Sequence, residues 1–197
     1  MGAYLDAPIK DKHPENGEND QLKWGACSMQ GWRTSMEDAH IASDIALPGQ
    51  QKGTLFGVFD GHGGKEVAEF AKKHFKKILE AELKSKDIKT ALEQAFLKLD
   101  DEVKNEDYSN DTGSTSCVVL ITPLEIYCAN AGDSRAVLCH ADKAVALSED
   151  HKPDNPGELA RIELTNHIVD DSRVDSNLAL SRAFGDFQYK DFKKGTP

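Results

Sequence analysis

Long apolar runs, paired cysteines and an excess of basic charge are all missing from this sequence of 197 residues. No apolar stretch approaches the roughly 20 residues that span a bilayer. The longest, Cys117 to Ile121, has the length of a strand. Against 34 Asp and Glu stand only 24 Lys and Arg, a formal charge of −10, which does not suit a nucleic-acid backbone. The 15 glycines and 7 prolines sit near background, so collagen-like and low-complexity classes fall away. Cys27, Cys117, Cys128 and Cys139 include no Cys-x-x-Cys pair, and no histidine lies at zinc-finger spacing. The last three sit in apolar segments and are expected as buried thiols on successive strands. No signal-peptide pattern opens the chain, so a cytoplasmic or nuclear setting is expected. Hydrophobic residues make up 39%, enough at this length for a sizeable core.

Met1-Gly2 would expose a glycine once methionine is removed, but the myristoylation pattern wants Ser or Thr at the sixth position, where Asp6 stands. Membrane contact is therefore expected only if Gly2 is acylated. Residues 1–21 are polar and read as a flexible N-terminal arm, with the folded domain running over 22–197.

Beyond the arm, Trp24 to Met29, Ala39 to Ala46 and Thr54 to Asp60 read as short strands between turn residues. Val67, Ala71, Phe75, Ile78 and Leu79 recur at helical steps, predicting a helix over Lys65 to Leu83 whose lysine-rich other face is solvated. Ile88, Leu92, Ala95, Phe96, Leu99 and Val103 predict a second helix, antiparallel to the first. Gly113 to Thr122, Glu125 to Ala131 and Ser134 to His140 follow as a β-meander, and Arg173 to Leu180 as one more strand. Asn155, Pro156 and Glu158 carry the signature of a capped short helix. Strands, a helix pair and strands again predict an α+β domain with mostly antiparallel sheet.

The densest polar cluster is Arg33-Thr-Ser-Met-Glu37-Asp38-Ala-His40, followed by Phe59-Asp60-Gly61-His62-Gly63-Gly64. An acidic side chain at a strand end beside glycines lets side-chain and backbone oxygens converge on one hard divalent cation such as Mg²⁺ or Mn²⁺. Taken alone, Asp60-Gly61 is a common turn dipeptide, Glu37-Asp38 is surface charge, and His62 is a hydrogen-bonding residue. The calcium-binding alternative lacks an Asp-x-Asp-x-Asp-Gly loop.

Together with Thr112-Gly-Ser-Thr-Ser, Ala129-Asn-Ala-Gly-Asp-Ser-Arg135, Glu149-Asp-His-Lys-Pro153 and Leu178-Ala-Leu-Ser-Arg-Ala-Phe-Gly-Asp186, these motifs run from Trp24 to Lys190. In that order they resemble the metal-dependent serine/threonine protein phosphatases of type 2C. The resemblance implies a four-layer α-β-β-α sandwich, two antiparallel sheets flanked by helices. It implies an enzyme that hydrolyses phosphoserine and phosphothreonine in proteins, with two Mn²⁺ or Mg²⁺ ions per complete active site; phosphorylated proteins are the expected partners, and a monomer is expected. In that reading Asp60 bridges the metals, while Glu37 and the carbonyl of Gly61 complete one site. Asp38 holds metal-bound water, and Asp133 matches a carboxylate tied to a weaker third metal. Arg33 would grip the phosphoryl oxygens bidentately, and His62 would protonate the departing oxygen. Thr115, Asp150 and the stretch from Ser181 to Asp186 read as scaffold.

The sequence departs from the family pattern twice. Where the family usually has glycines, it carries Asn166-His167, Ser172 and Ser176, which tolerate positive φ less well. Family members also continue further, with Asp-Gly and Asp-Asn motifs supplying two more metal-ligating aspartates, and no such pair follows Arg182 here. The domain is accordingly expected to be truncated at its C-terminus. The competing function is a catalytically inactive form that binds phosphoproteins or regulators without turnover.

Overall fold

The computed structural model describes residues 4–190. Gly2, and with it the acylation question, lies outside them. The first strands are β1 (Tyr4–Ile9), β2 (His13–Glu18), β3 (Lys23–Ser28), β4 (Gly31–Arg33), β5 (Asp38–Ala46) and β6 (Lys52–His62). Helices α1 (Glu66–Glu82) and α2 (Ile88–Val103) follow, then β7 (Gly113–Ser114), β8 (Ser116–Ile121), β9 (Ile126–Ala131), β10 (Val137–His140) and β11 (Lys143–Ala146). The last part holds α3 (Pro156–Glu163), β12 (Val169–Asp170), β13 (Arg173–Val174) and β14 (Phe184–Gly185). The class is α+β, with antiparallel sheets flanked by helices, as the sequence predicts.

The main sheet has six strands and is organised around β6. One edge of β6 pairs with β5, from Asp38↔Asp60 to Ala46↔Lys52. Its other edge pairs with β8 along Thr54↔Ile121 to Val58↔Cys117, and beyond that with β7 through Gly61↔Ser114 and His62↔Gly113. The strand predicted over Gly113 to Thr122 is thus broken at Thr115. There the Asp60 N–H donates to the Thr115 hydroxyl at 3.1 Å rather than to a backbone carbonyl.

Alternation along β6 sends Leu55 and Phe59 inward, both fully buried, while Phe56, Val58, Asp60 and His62 face the other way. The inward face receives the apolar stripes of α1 and α2, including Val67, Ala71, Phe75, Leu92, Ala95 and Leu99. Ring contacts continue from Phe59 to Phe75 (6.2 Å), Phe75 to Phe96 (5.4 Å) and Phe96 to Phe184 (5.2 Å). That aromatic line ties β14 into the helix core. The α2 boundaries match the sequence prediction, and Asp87 caps the helix by accepting from Thr90 N at 3.1 Å.

The polar segment expected as a flexible arm is ordered as strands. β2 pairs with β3 through six consecutive partners from His13↔Ser28 to Glu18↔Lys23. Its charged side chains stay exposed, as befits an edge strand, which is why composition alone reads as an arm. The β2–β3 ladder lies on the outer face of the main sheet: Trp24 meets Phe56 edge-on at 6.2 Å, and Asn19 donates to Asp44 (2.8 Å) and Thr54 (2.9 Å). A second β layer therefore covers part of the face that carries Asp60.

Three further expectations are corrected. Of the last three cysteines only Cys117 is buried; Cys128 is half-buried and Cys139 is exposed on the β10–β11 hairpin. Asn155 does not cap α3 with its side chain but donates to the Asp150 carbonyl, and Glu158 turns to a buried ionic cluster. The strand predicted over Arg173 to Leu180 shrinks to a two-residue ladder with Val169–Asp170 and one bridge, Val174↔Leu178. Asp175 and Ser176 take positive φ inside that stretch, and Asp171 and Ser172 just before it, which breaks an extended run. No helix among the described residues is long and apolar enough to cross a membrane.

Candidate active site

The ladder between β5 and β6 sets Asp38 directly opposite Asp60. Like charges at directly opposed positions destabilise a sheet unless something offsets them. Lost hydration, the charge of Asp38, a hydrogen bond with Asp38 and the charge of Asp133 push the Asp60 carboxyl up to about 6, with His62 opposing. Thr115 fixes the backbone beneath this carboxyl from both sides: its N–H donates to Asp60 O at 2.9 Å and its hydroxyl accepts from Asp60 N. The same hydroxyl meets that of Ser134 at 2.6 Å, which ties the Asp133 loop to the floor of the site.

Glu37 precedes β5, and its backbone carbonyl accepts from Gly61 N at 3.2 Å. A side chain at residue 61 would place its Cβ 2.5 Å from that oxygen, so only glycine allows the approach. The Glu37 carboxylate accepts from the Ser35 hydroxyl at 2.5 Å. Arg33 ends β4 and is exposed, and its guanidinium makes no hydrogen bond or ion pair with other described residues. Asp133 is paired with Lys152.

His62, the last residue of β6, meets Asp186 with Nε2 at 2.6 Å from Oδ2. Burial pulls the imidazole down, but the hydrogen bond and charge of Asp186, with the charges of Asp60 and Glu37, hold it above its ordinary 6.5. The sequence places Asp186 in a scaffold stretch; the structure instead puts its carboxylate on the imidazole of His62. The only local signal is an acidic residue directly after a glycine, Gly185-Asp186.

The strand register thus gathers Asp38, Asp60 and His62 at one end of the sheet, with Glu37 and Asp133 near enough for their charges to act there. Asp150 stands apart and holds Arg135 in a two-pronged ion pair at 2.9 and 2.7 Å. Among the described residues, no three His, Cys, Asp or Glu side chains are gathered in the arrangement of a metal site. What fits a divalent cation is the opposed Asp38–Asp60 pair, whose repulsion a cation would relieve.

The family described as Protein phosphatase 2C matches residues 22–196. The chain is 45% identical over 208 residues to probable protein phosphatase 2C 2 of Paramecium tetraurelia, covering 96% of this chain and 67% of that protein. It is 44% identical over 196 residues to protein phosphatase 2C homolog 3 of Schizosaccharomyces pombe, covering 96% of this chain and 47% of that one. Among solved structures, a phosphatase from a pathogenic strain of Toxoplasma gondii aligns with a TM-score of 0.65 at 25% identity, over 93% of this chain and 66% of that chain. A C. elegans sex determining protein shares the fold, with a TM-score of 0.68 at 24% identity, over 91% of this chain and 45% of that one.

Proposed function

This chain belongs to the protein phosphatase 2C family, and from that premise we propose that it hydrolyses phosphoserine and phosphothreonine in proteins with the help of a divalent cation. The observation that carries this reading is the opposed Asp38–Asp60 pair beside His62, concentrated negative charge with a proton donor next to it. Asp60, Glu37 and the carbonyl of Gly61 would hold Mn²⁺ or Mg²⁺, with Asp38 alongside and Asp133 contributing further negative charge. When bound, such a cation supplies Lewis acidity that polarises the phosphoryl group and makes water a nucleophile near neutral pH.

The chain's own residues do the rest. Arg33 presents a permanently charged planar fork from an exposed strand end, suited to two phosphoryl oxygens at once. His62 hands a proton to the serine or threonine oxygen as it departs, and the surrounding carboxylates keep that proton in place near neutral pH. Thr115, itself bonded to Ser134, fixes the backbone from which the Asp60 carboxylate projects.

The test is release of phosphate from a phosphoserine peptide by this chain with and without Mn²⁺ or Mg²⁺, repeated with Asp60→Asn. Metal-dependent release, lost in the variant, supports the reading. Equal release by parent and variant overturns it. Tight peptide binding with no release in any metal replaces the enzyme with a phosphoprotein-binding module.

A further inference from the structure

We propose that Asp186 is a positioning residue, which keeps the Nε2 proton of His62 on its own side and leaves Nδ1 as the nitrogen that serves the substrate. Its carboxylate Oδ2 lies 2.6 Å from His62 Nε2, and its side chain is only 5% exposed. A buried carboxylate accepts and does not donate, so the nitrogen facing it carries the hydrogen in the neutral ring. No hydrogen bond engages His62 Nδ1 among the described residues.

The pair is built into the fold. Gly113 is the partner of His62 on one side and of Gly185 on the other, so two ladders converge on one residue. A Cβ at residue 113 would stand 2.3 Å from Asp186 Oδ2 and 2.5 Å from His62 Nε2. Only a glycine there leaves room for the contact. Asp186 itself sits at φ 53, with its N–H on Thr112 O at 3.1 Å, and the next N–H, of Phe187, reaches Ser109 O at 3.0 Å. Gly185 N donates to Asp100 at 2.9 Å, and Asp100 is held in turn by Lys190 at 2.7 and 2.8 Å. Each neighbour of the carboxylate is pinned, which fixes the direction it presents to the ring.

The chemical consequence rests on the phosphatase reading. As a water oxygen bonds to phosphorus and gives up one proton to solvent, the P–O bond to the serine or threonine oxygen breaks, its electron pair goes to that oxygen and the Nδ1 proton of the imidazolium follows. The imidazole is left neutral, still donating from Nε2 to Asp186. Without the carboxylate the ring can rotate or take the other tautomer, and the donor nitrogen is no longer defined.

Two measurements test this on the chain. Nitrogen NMR of the imidazole, without metal, is expected to find neutral His62 protonated on Nε2. In Asp186→Gly, which removes the carboxylate while accepting positive φ freely, both tautomers should appear. A parent ring protonated on Nδ1, or a variant identical to the parent, overturns the proposal. In turnover, Asp186→Gly should lose about 100-fold in kcat on a phosphoserine peptide, whose leaving oxygen needs a proton, and less than about 3-fold on an aryl phosphate whose phenol leaves unaided. Gly113→Ala, which crowds the same two atoms, should show the same split. Equal losses on both substrates overturn the positioning role. A parent chain that turns over neither substrate counts against the phosphatase reading alone, and the NMR result still decides this one.

Discussion

Glu158 gives the sharpest test of how the Asp186 segment is held. Its side chain, 10% exposed, accepts from Arg182 Nη2 at 2.7 Å, Arg182 Nε at 3.0 and 3.1 Å, Arg161 Nη2 at 3.0 Å and the Ser181 hydroxyl at 2.7 Å. Burial alone would raise this carboxyl, but the bonds from Arg182, Ser181 and Arg161 hold it at about 2, down from 4.5. A drop of that size corresponds to about 3 kcal/mol at neutral pH. Arg161 and Arg182 keep 30% and 39% of their side-chain surface in solvent, so screening trims the figure. We expect Glu158→Gln, which keeps the shape and removes the charge, to lower stability by about 2 kcal/mol in urea unfolding at pH 7.

The pH dependence has a definite sign. The folded carboxyl titrates below the unfolded one, so its stabilisation is complete above pH 4.5 and fades as pH falls toward 2. The gap between parent and variant should therefore shrink to under half by about pH 3. A variant within about 0.5 kcal/mol of the parent at pH 7, or a gap unchanged between the two pH values, would refute the reasoning.

Two further outcomes are expected. Ser172→Gly and Ser176→Gly, at φ 58 and 59, should each raise the unfolding free energy by about 0.5 kcal/mol, read as a higher urea midpoint with the slope unchanged. Relief of left-handed strain outweighs the added flexibility and the loss of exposed bonds to Asp154 and Asp170; a fall in midpoint would contradict this. In the native chain Cys27 and Cys139 should react rapidly with a thiol reagent, Cys128 more slowly and Cys117 last, as mass spectrometry of timed samples would show. Early labelling of Cys117 would place it on the surface instead.

Local periodicity made both long helices legible, because the stripes of α1 and α2 face one shared core. The strands β3, β5 and β6 were legible from alternation and turn residues. What escaped had weak or long-range signals. The β10–β11 hairpin turns on Ala141 and Asp142, both at positive φ, where a reader looks for Asn-Gly. The β2 strand is too polar to announce itself and is held by pairing with β3. The capping signature at Asn155 was misleading because Glu158 has stronger partners in Arg182 and Arg161. At the site, the motif residues Asp38, Asp60 and His62 were visible as a set, since two adjacent strands carry them. Asp186 was not, because its role depends on a partner 124 positions away.

That separation also governs when the imidazole becomes aligned. β14 joins the sheet through just two partner pairs, Phe184↔Ser114 and Gly185↔Gly113. Short terminal ladders of this kind open and reclose far more often than the central strands, in a fluctuation separate from global unfolding. Amide exchange at Gly185 and Asp186 should accordingly run ahead of exchange at Leu55 and Leu120. During synthesis the centre of the sheet and the helix pair emerge from the ribosome well before the aspartate does. The protein therefore acquires its acidic pair early and its oriented histidine late, and a breathing chain surrenders them in the reverse order.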